Sequence, residues 1–171
     1  MHSDDSSISI AHYGYIYVFE IGPYSVINSA PSTEIYDPSI TSSVDVGVNS
    51  AGTVAVSFSS NEPIVVYDTS DPYNINVTSH IFSPNVSGNF SYAGAFDGNY
   101  AYNTAINERE IRVYDVNDPN NIFYLTSLQD NTLLWYGREI ILSGNELYFV
   151  GKNSFSIIDI FFLCYLAFFH L

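Results

Sequence analysis

An internal repeat of about 46 residues is the feature that most restricts the fold of this chain, because a fixed period of this length is typical of solenoids and propellers. Three glycines recur 46 residues apart, at Gly52, Gly98 and Gly144. A β-branched run that ends in aspartate follows each glycine, and these aspartates are Asp68, Asp115 and Asp159. The chain is therefore built from copies of one supersecondary unit.

Each copy has the pattern of four short strands. The first strand ends at the turn glycine, the second follows at once, the third is the β-branched run, and the fourth follows a proline in the second and third copies. Such runs, rich in Val, Ile, Tyr and Phe and separated by turn signals, indicate an all-β chain. Four strands in a repeat of this length form one blade of a β-propeller. We predict an all-β fold of β-propeller-type repeats, with four blades of four antiparallel strands, the first and the last incomplete; a plain β-sandwich is the alternative.

The repeat also predicts the domain organisation. Residues 1–171 are expected to form one propeller-type domain, with the first copy marked by Gly14, the strand YIYVF, and Val26, Ile27 and Asn28 in place of the third strand. The copies span approximately residues 6–42, 43–88, 89–134 and 135–171. The sequence leaves open whether the chain is a fragment of a larger propeller.

Charge excludes several kinds of partner. The net charge is −14, with 18 Asp and Glu but only 4 Lys and Arg, and so few cations cannot neutralise many phosphates. We therefore expect no nucleic-acid partner. The longest apolar run, residues 160–171, is shorter than a spanning helix requires, so no direct membrane insertion is expected.

The turn residues have a structural and a metal-binding interpretation. Asp before or near Pro favours a turn, because the carboxylate accepts backbone N–H groups, and calcium needs a denser set of oxygen ligands. The single cysteine and the scattered histidines have no zinc-ligand spacing. We therefore predict no metal site and no cofactor. The predicted structural turn residues are Gly52, Gly98, Gly144, Asp68, Asp71, Asp115, Asp118 and Asp159.

Polar residues on the first strand of each copy are the candidates for ligand binding, since these strands line the channel of a propeller. Counting back from the turn glycine places Arg138 and Tyr92 at equivalent positions. Glu139 is one residue closer to its turn glycine than Arg138 is. Asp45 is one residue further from its own turn glycine than Arg138 and Tyr92 are from theirs. These four residues are the predicted ligand-binding residues on the channel side, with Arg138 as the cation of an acidic channel. Arg138 and Glu139 point to opposite faces of an extended strand, so at most one of them faces the channel. The alternative is that they meet solvent at the end of a blade.

No catalytic residue is predicted. The histidines lack a nucleophile elbow or a partner at motif spacing, and no glycine-rich phosphate loop is present. We expect a non-enzymatic protein, and the alternative is a fragment of a propeller hydrolase or lyase whose catalytic residues lie outside this chain.

The segments GNYAYNTAINEREIRVYDVNDPNNIFYLTSL and GREIILSGNELYFVGKNSFSIIDI resemble LVIVD repeats. This resemblance implies an extracellular or cell-surface repeat scaffold and supplies no catalytic motif. From the repeats and the missing catalytic chemistry, we expect this scaffold to bind another protein or a glycan through its blade loops. A signal peptide is not recognisable in residues 1–10. After Asp159 the sequence departs from the repeat and continues as an apolar tail, residues 160–171. We expect this tail to pair as the outer strand of the fourth blade or to cover an open end. If it does neither, we expect self-association through the tail or through open blade faces.

Overall fold

The computed structural model describes most of the chain from residue 43 onward and shorter segments before it. The described residues are 2–3, 7–12, 15–22, 26–27, 33–36, 43–49, 51, 53–59, 64–71, 73–81 and 93–161. They form sixteen strands: β1 (His2–Ser3), β2 (Ser7–His12), β3 (Tyr15–Gly22), β4 (Val26–Ile27), β5 (Thr33–Tyr36), β6 (Ser43–Val48), β7 (Val54–Ser59), β8 (Ile64–Asp68), β9 (Asn76–Ile81), β10 (Gly94–Phe96), β11 (Tyr100–Ala105), β12 (Glu110–Asp115), β13 (Phe123–Gln129), β14 (Glu139–Ser143), β15 (Glu146–Val150) and β16 (Phe155–Asp159).

These strands form four sheets that follow one another along the chain. Sheet 1 contains β1 to β5, sheet 2 has the order β6-β7-β8-β9, sheet 3 has the order β10-β11-β12-β13, and sheet 4 has the order β14-β15-β16. Every strand pair in them is antiparallel. The all-β prediction is therefore confirmed. Among the described strands, none of sheet 4 pairs with a strand of sheet 1, so the sheets are not joined into a closed ring by hydrogen bonds.

Alternating side chains explain why the sheets stack. In β7, Val56 and Phe58 point to the same face and are fully buried. They pack with Ala101 and Tyr114 of sheet 3 in one apolar cluster. The opposite face of sheet 3, which includes Tyr102, forms the next cluster with sheet 4. Sheets 2 and 3 therefore each bury one face against the sheet before them and the other against the sheet after them, which is the stacking of propeller blades.

Sheet 1 corrects one part of the sequence alignment. Val26, Ile27 and Asn28 were predicted to supply the third strand of the first copy, but β4 is only two residues long and pairs with Ile21 and Gly22. The strand that pairs with the beginning of β3, as β8 pairs with the beginning of β7, is instead β5. The β-branched segment SVIN was misleading because two segments compete for β3. The two residues of β4 pair with the end of β3, whereas the four residues of β5, TEIY, pair with its beginning.

No helix in the described part of the chain is long and apolar enough to cross a membrane. The tail from residue 162 to residue 171 lies outside the described residues.

Candidate functional site

The first strands of three sheets lie side by side and enclose a cleft of about 330 Å³. β10 lies between β6 and β14, so the cleft is on the side where the sheets converge. Its lining residues come only from these three strands: Asp45, Val46, Gly47, Gly94, Ala95, Phe96, Glu139, Ile140, Ile141 and Leu142.

Two carboxylates, Asp45 and Glu139, occupy the same row of this cleft. Asp45 pairs with Phe58 and Glu139 pairs with Val150. Phe58 and Val150 are each the fifth residue of the second strand of their sheet. In sheet 3 the corresponding position is Ala93, whose carbonyl accepts a hydrogen bond from the N–H of Thr104 at 3.1 Å. Strand pairing therefore places Asp45, Ala93 and Glu139 at equivalent positions of their sheets. The count from the turn glycines instead predicts that Asp45 and Glu139 are two positions apart.

The difference in alignment comes from the length of one loop. Four residues separate Asn49 and Val54, whose backbone atoms are hydrogen-bonded at 3.0 Å, whereas two residues connect β14 to β15. The Asn49 side chain holds the longer loop, because its Oδ1 accepts the N–H groups of Thr53 at 2.8 Å and Val54 at 3.1 Å. A count from the glycine therefore includes two extra residues in sheet 2.

The carboxylate of Asp45 joins two sheets. Its Oδ1 accepts the N–H of Val46 at 2.9 Å, and its Oδ2 accepts the N–H of Gly94 at 3.2 Å. Partial burial raises the pKa of Glu139, and the negative charge of Asp45 raises that pKa further. The two groups are thus close enough to interact, and a cation that entered the cleft would relieve their repulsion.

The apolar part of the cleft lies two residues further toward the turns. There Gly47, Ala95 and Ile141 form one row, since they pair with Val56, Tyr102 and Tyr148. A Cβ at Gly47 would lie 2.7 Å from the Cβ of Phe96, so only glycine allows β6 to approach β10 this closely. Ile141 is 54% exposed and offers apolar surface to a ligand.

The other two predicted channel residues are Arg138 and Tyr92. Arg138 is absent from the lining residues, and its guanidinium carbon lies 4.7 Å from the centroid of the Tyr136 ring. Tyr136 has a φ of 59°, in the left-handed region. Tyr92 lies outside the described residues. The cleft therefore has two carboxylates and no cation among the residues that line it.

The predicted turn glycines that are described lie in hairpin turns. Gly98 connects β10 to β11 with a φ of 101°, and Gly144 connects β14 to β15 with a φ of 60°. Both angles favour glycine. Gly52 lies outside the described residues.

The five predicted turn aspartates accept nearby backbone N–H groups. Asp68, Asp115 and Asp159 each bind the N–H two residues further on, at 2.9 Å. Asp71 and Asp118 do the same at 3.0 Å. These are Asx turns, in which the carboxylate stabilises the chain that leaves the third strand. Within the described residues, no group of three or more His, Cys, Asp or Glu side chains could hold a metal ion.

A second cluster was not foreseen from the sequence. Arg109 and Lys152 lie over the ring of Trp135, at 5.9 and 5.8 Å from its centroid. Trp135 is 44% exposed. The three residues are far apart in sequence and come from different loops, so no local motif marks them.

Comparison with known proteins supports the fold. No family model matches the chain, and no curated protein matches it. The computationally designed Ika4 protein has a TM-score of 0.62 at 11% identity, over 92% of this chain and 87% of that chain. The β-propeller domain of Myceliophteria thermophila Cps50 (Swd1) has a TM-score of 0.63 at 11% identity, over 86% of this chain and 47% of that chain.

A third solved structure, a putative 6-phosphogluconolactonase from Bacteroides fragilis, has a TM-score of 0.66 at 14% identity, over 85% of this chain and 44% of that chain. The chain therefore spans about half the length of these two natural proteins. At such identities the likeness concerns the fold alone. The repeated antiparallel sheets and these neighbours define a β-propeller-type protein.

Proposed function

We propose that this chain is a non-enzymatic binding scaffold of the LVIVD-repeat type, located outside the cell or on its surface. The observation that carries the proposal is the cleft between β6, β10 and β14, where Asp45 and Glu139 share one row above apolar residues. A cleft that combines apolar walls with a few placed polar groups is the usual form of a binding site.

The chemistry of the cleft favours a protein ligand that presents a lysine or arginine side chain. The charged head of such a side chain would meet the two carboxylates, and its methylene stem would lie against Ala95 and Ile141. The volume of about 330 Å³ suits a side chain with a short piece of backbone. The net charge of −14 would also attract a basic partner from a distance.

A glycan is the other ligand class. Phe96 is the one aromatic residue among those that line the cleft, so the cleft offers little surface for stacking a sugar ring. The exposed indole of Trp135, bordered by Arg109 and Lys152, is the feature that favours a glycan, and an anionic one.

The test is a titration of the amide NMR spectrum with two short peptides that differ only in one residue, lysine or norleucine. We expect the lysine peptide to shift the Gly94 signal and the norleucine peptide to bind at least 10-fold more weakly. The double variant Asp45→Asn with Glu139→Gln should lose the difference between the peptides. Asp159→Asn is the matched control, because it removes a negative charge outside the cleft and should bind like the unmodified chain. Equal binding of both peptides, or shifts confined to Trp135 with an acidic oligosaccharide, would contradict the proposed protein ligand.

The second candidate is a propeller enzyme of the hydrolase or lyase class, for which this chain would supply part of the active site. The specific observation is the raised pKa of Glu139 beside Asp45, since acid–base hydrolysis uses two carboxyl groups in different environments. Turnover of a set of 4-nitrophenyl glycosides that is abolished by Glu139→Gln would favour the enzyme over the scaffold.

A further inference from the structure

Sheet 4 has one covered face and one exposed face. Ile140, Leu147 and Phe149 are buried against sheet 3. The opposite face carries Phe155, which is 62% exposed, and Ile157, which is 56% exposed. An apolar face of this kind is uncommon at the surface of a protein without a partner.

The positions in sheet 2 that correspond to Phe155 and Ile157 are buried. Phe155 pairs with the fifth residue of β15, as Ile64 pairs with the fifth residue of β7, and Ile64 is fully buried. Ile157 pairs with Tyr148 at the third residue, as Val66 pairs with Val56, and Val66 is fully buried too. In sheet 2 this face is covered by sheet 3. The exposed face of sheet 4 is therefore shaped to receive another sheet of the same kind.

The other end of the run of sheets also presents apolar surface. In β5, Ile35 packs against the cluster of sheet 2 that contains Tyr67. Tyr36 must then point to the opposite face, because neighbours in a strand alternate. Tyr36 is 58% exposed, and its ring centroid lies 4.7 Å from that of Tyr15, which stacks on Tyr17 at 5.7 Å.

We propose that the exposed face of sheet 4 docks sheet 1 of a second copy of this chain. Three features support a second copy as the occupant. The contact continues the sheet-on-sheet packing of sheets 2, 3 and 4, and sheet 1 offers an aromatic face at the opposite end. The chain also spans about half of two natural propeller chains. With two-fold symmetry the contact forms twice and closes on itself. Two chains then supply eight sheets, a number found in propellers.

Charge makes the assembly depend on salt. Each chain has a net charge of −14, and Glu139, Glu146 and Asp159 lie on the exposed face of sheet 4 beside its apolar centre. Salt screens the repulsion between two such chains. We expect the dissociation constant to fall as the salt concentration rises.

Sedimentation velocity of the full chain over a range of concentrations tests the proposal. The unmodified chain should sediment as a dimer, and Ile157→Asp should raise the dissociation constant at least 10-fold. Phe123→Asp is the matched control, because Phe123 is 48% exposed on sheet 3 and lies away from the docking face. Circular dichroism establishes that each variant is folded, and both substitutions replace exposed side chains.

A mixing experiment separates the proposed contact from a face-to-face dimer. Tyr36→Asp should weaken the dimer as Ile157→Asp does. A mixture of the two variants should form a heterodimer, because one of its two contacts joins an unmodified sheet 4 to an unmodified sheet 1. A monomeric unmodified chain, an Ile157→Asp variant that dimerises normally, open-ended higher oligomers, or a Tyr36→Asp variant that dimerises normally would each overturn the proposal.

Discussion

The ring of Phe58 occupies the space in which a side chain at Gly94 would begin. Phe58 belongs to the second strand of sheet 2 and Gly94 to the first strand of sheet 3, and a Cβ at Gly94 would overlap the ring. The backbone N–H of Gly94 also donates to the carboxylate of Asp45. This contact therefore fixes both the packing of the two sheets and one wall of the cleft.

Gly94→Ala should destabilise the chain by about 2 kcal/mol, because a methyl group there forces the Phe58 ring out of a well-packed interface. Urea denaturation measures the loss. Gly144→Asn is the control: nothing lies within 4 Å of a Cβ at Gly144, and asparagine tolerates its positive φ. Equal losses for the two variants would show that Phe58 does not pack on Gly94 in solution.

Glu110→Gln should also destabilise the fold, by about 2 kcal/mol, because it removes the charged partner of a buried guanidinium. Arg112 is 2% exposed, its Nε donates to Oε1 of Glu110, and its Nη2 lies 3.8 Å from Oε2 of Glu108. Thermal unfolding at neutral pH gives the comparison. Glu146→Gln, which changes an exposed glutamate outside this ion pair, should have a much smaller effect, and a reversed order of the two variants would argue against a buried ion pair at Arg112.

Acid should release the loop that begins at Asp130. The N–H groups of Leu133 and Thr132 donate to its carboxylate and lower its pKa below the usual 3.8. The contribution of this group to stability is therefore present above pH 3.8 and is lost as the pH falls through the lowered pKa. The protection factor of the Leu133 amide, which corrects its exchange rate for the intrinsic effect of pH, should fall between pH 5 and pH 2 in the unmodified chain, and Asp130→Asn should remove this dependence on pH. A fall that is identical in both chains would assign the effect to another group.

The repeat in the sequence was sufficient to predict the fold class. The 46-residue spacing of Gly52, Gly98 and Gly144 and the alternation in TVAVSF identify stacked four-stranded units, since period and alternation are local properties. The first copy was harder, because SVIN and TEIY both have the composition of a strand. Only pairing with Tyr15 to Val18 decides that TEIY is the third strand.

The cleft could be predicted only in part. Asp45 and Glu139 were selected because first strands line a channel, but their common row depends on a loop that is two residues longer in sheet 2. Arg138 was placed in the same channel, yet its guanidinium lies over Tyr136. The sequence specifies which strand a residue occupies, whereas the side-chain direction depends on neighbours that are distant in sequence.

The pKa of Glu139 gives a second consequence for stability. This pKa is raised above the usual 4.5. The contribution of the Glu139 carboxyl group to the free energy of unfolding is therefore fully present below pH 4.5 and is lost as the pH rises through the raised pKa. Glu139→Gln should therefore reduce the loss of stability between pH 4 and pH 7, as measured by urea denaturation at each pH. An unchanged pH profile would show that Glu139 has its ordinary pKa in the folded chain.

The central claim is that strands far apart in sequence bring Asp45 and Glu139 into one cleft. The most direct measurement is the pKa of Glu139, obtained from the carbon-13 shift of its carboxyl group, in the unmodified chain and in Asp45→Asn. We predict a raised pKa that falls toward the usual value in Asp45→Asn and stays raised in part, because burial remains; Asp159→Asn should leave it unchanged. A Glu139 pKa that does not respond to Asp45→Asn would contradict the shared cleft and the function proposed for it.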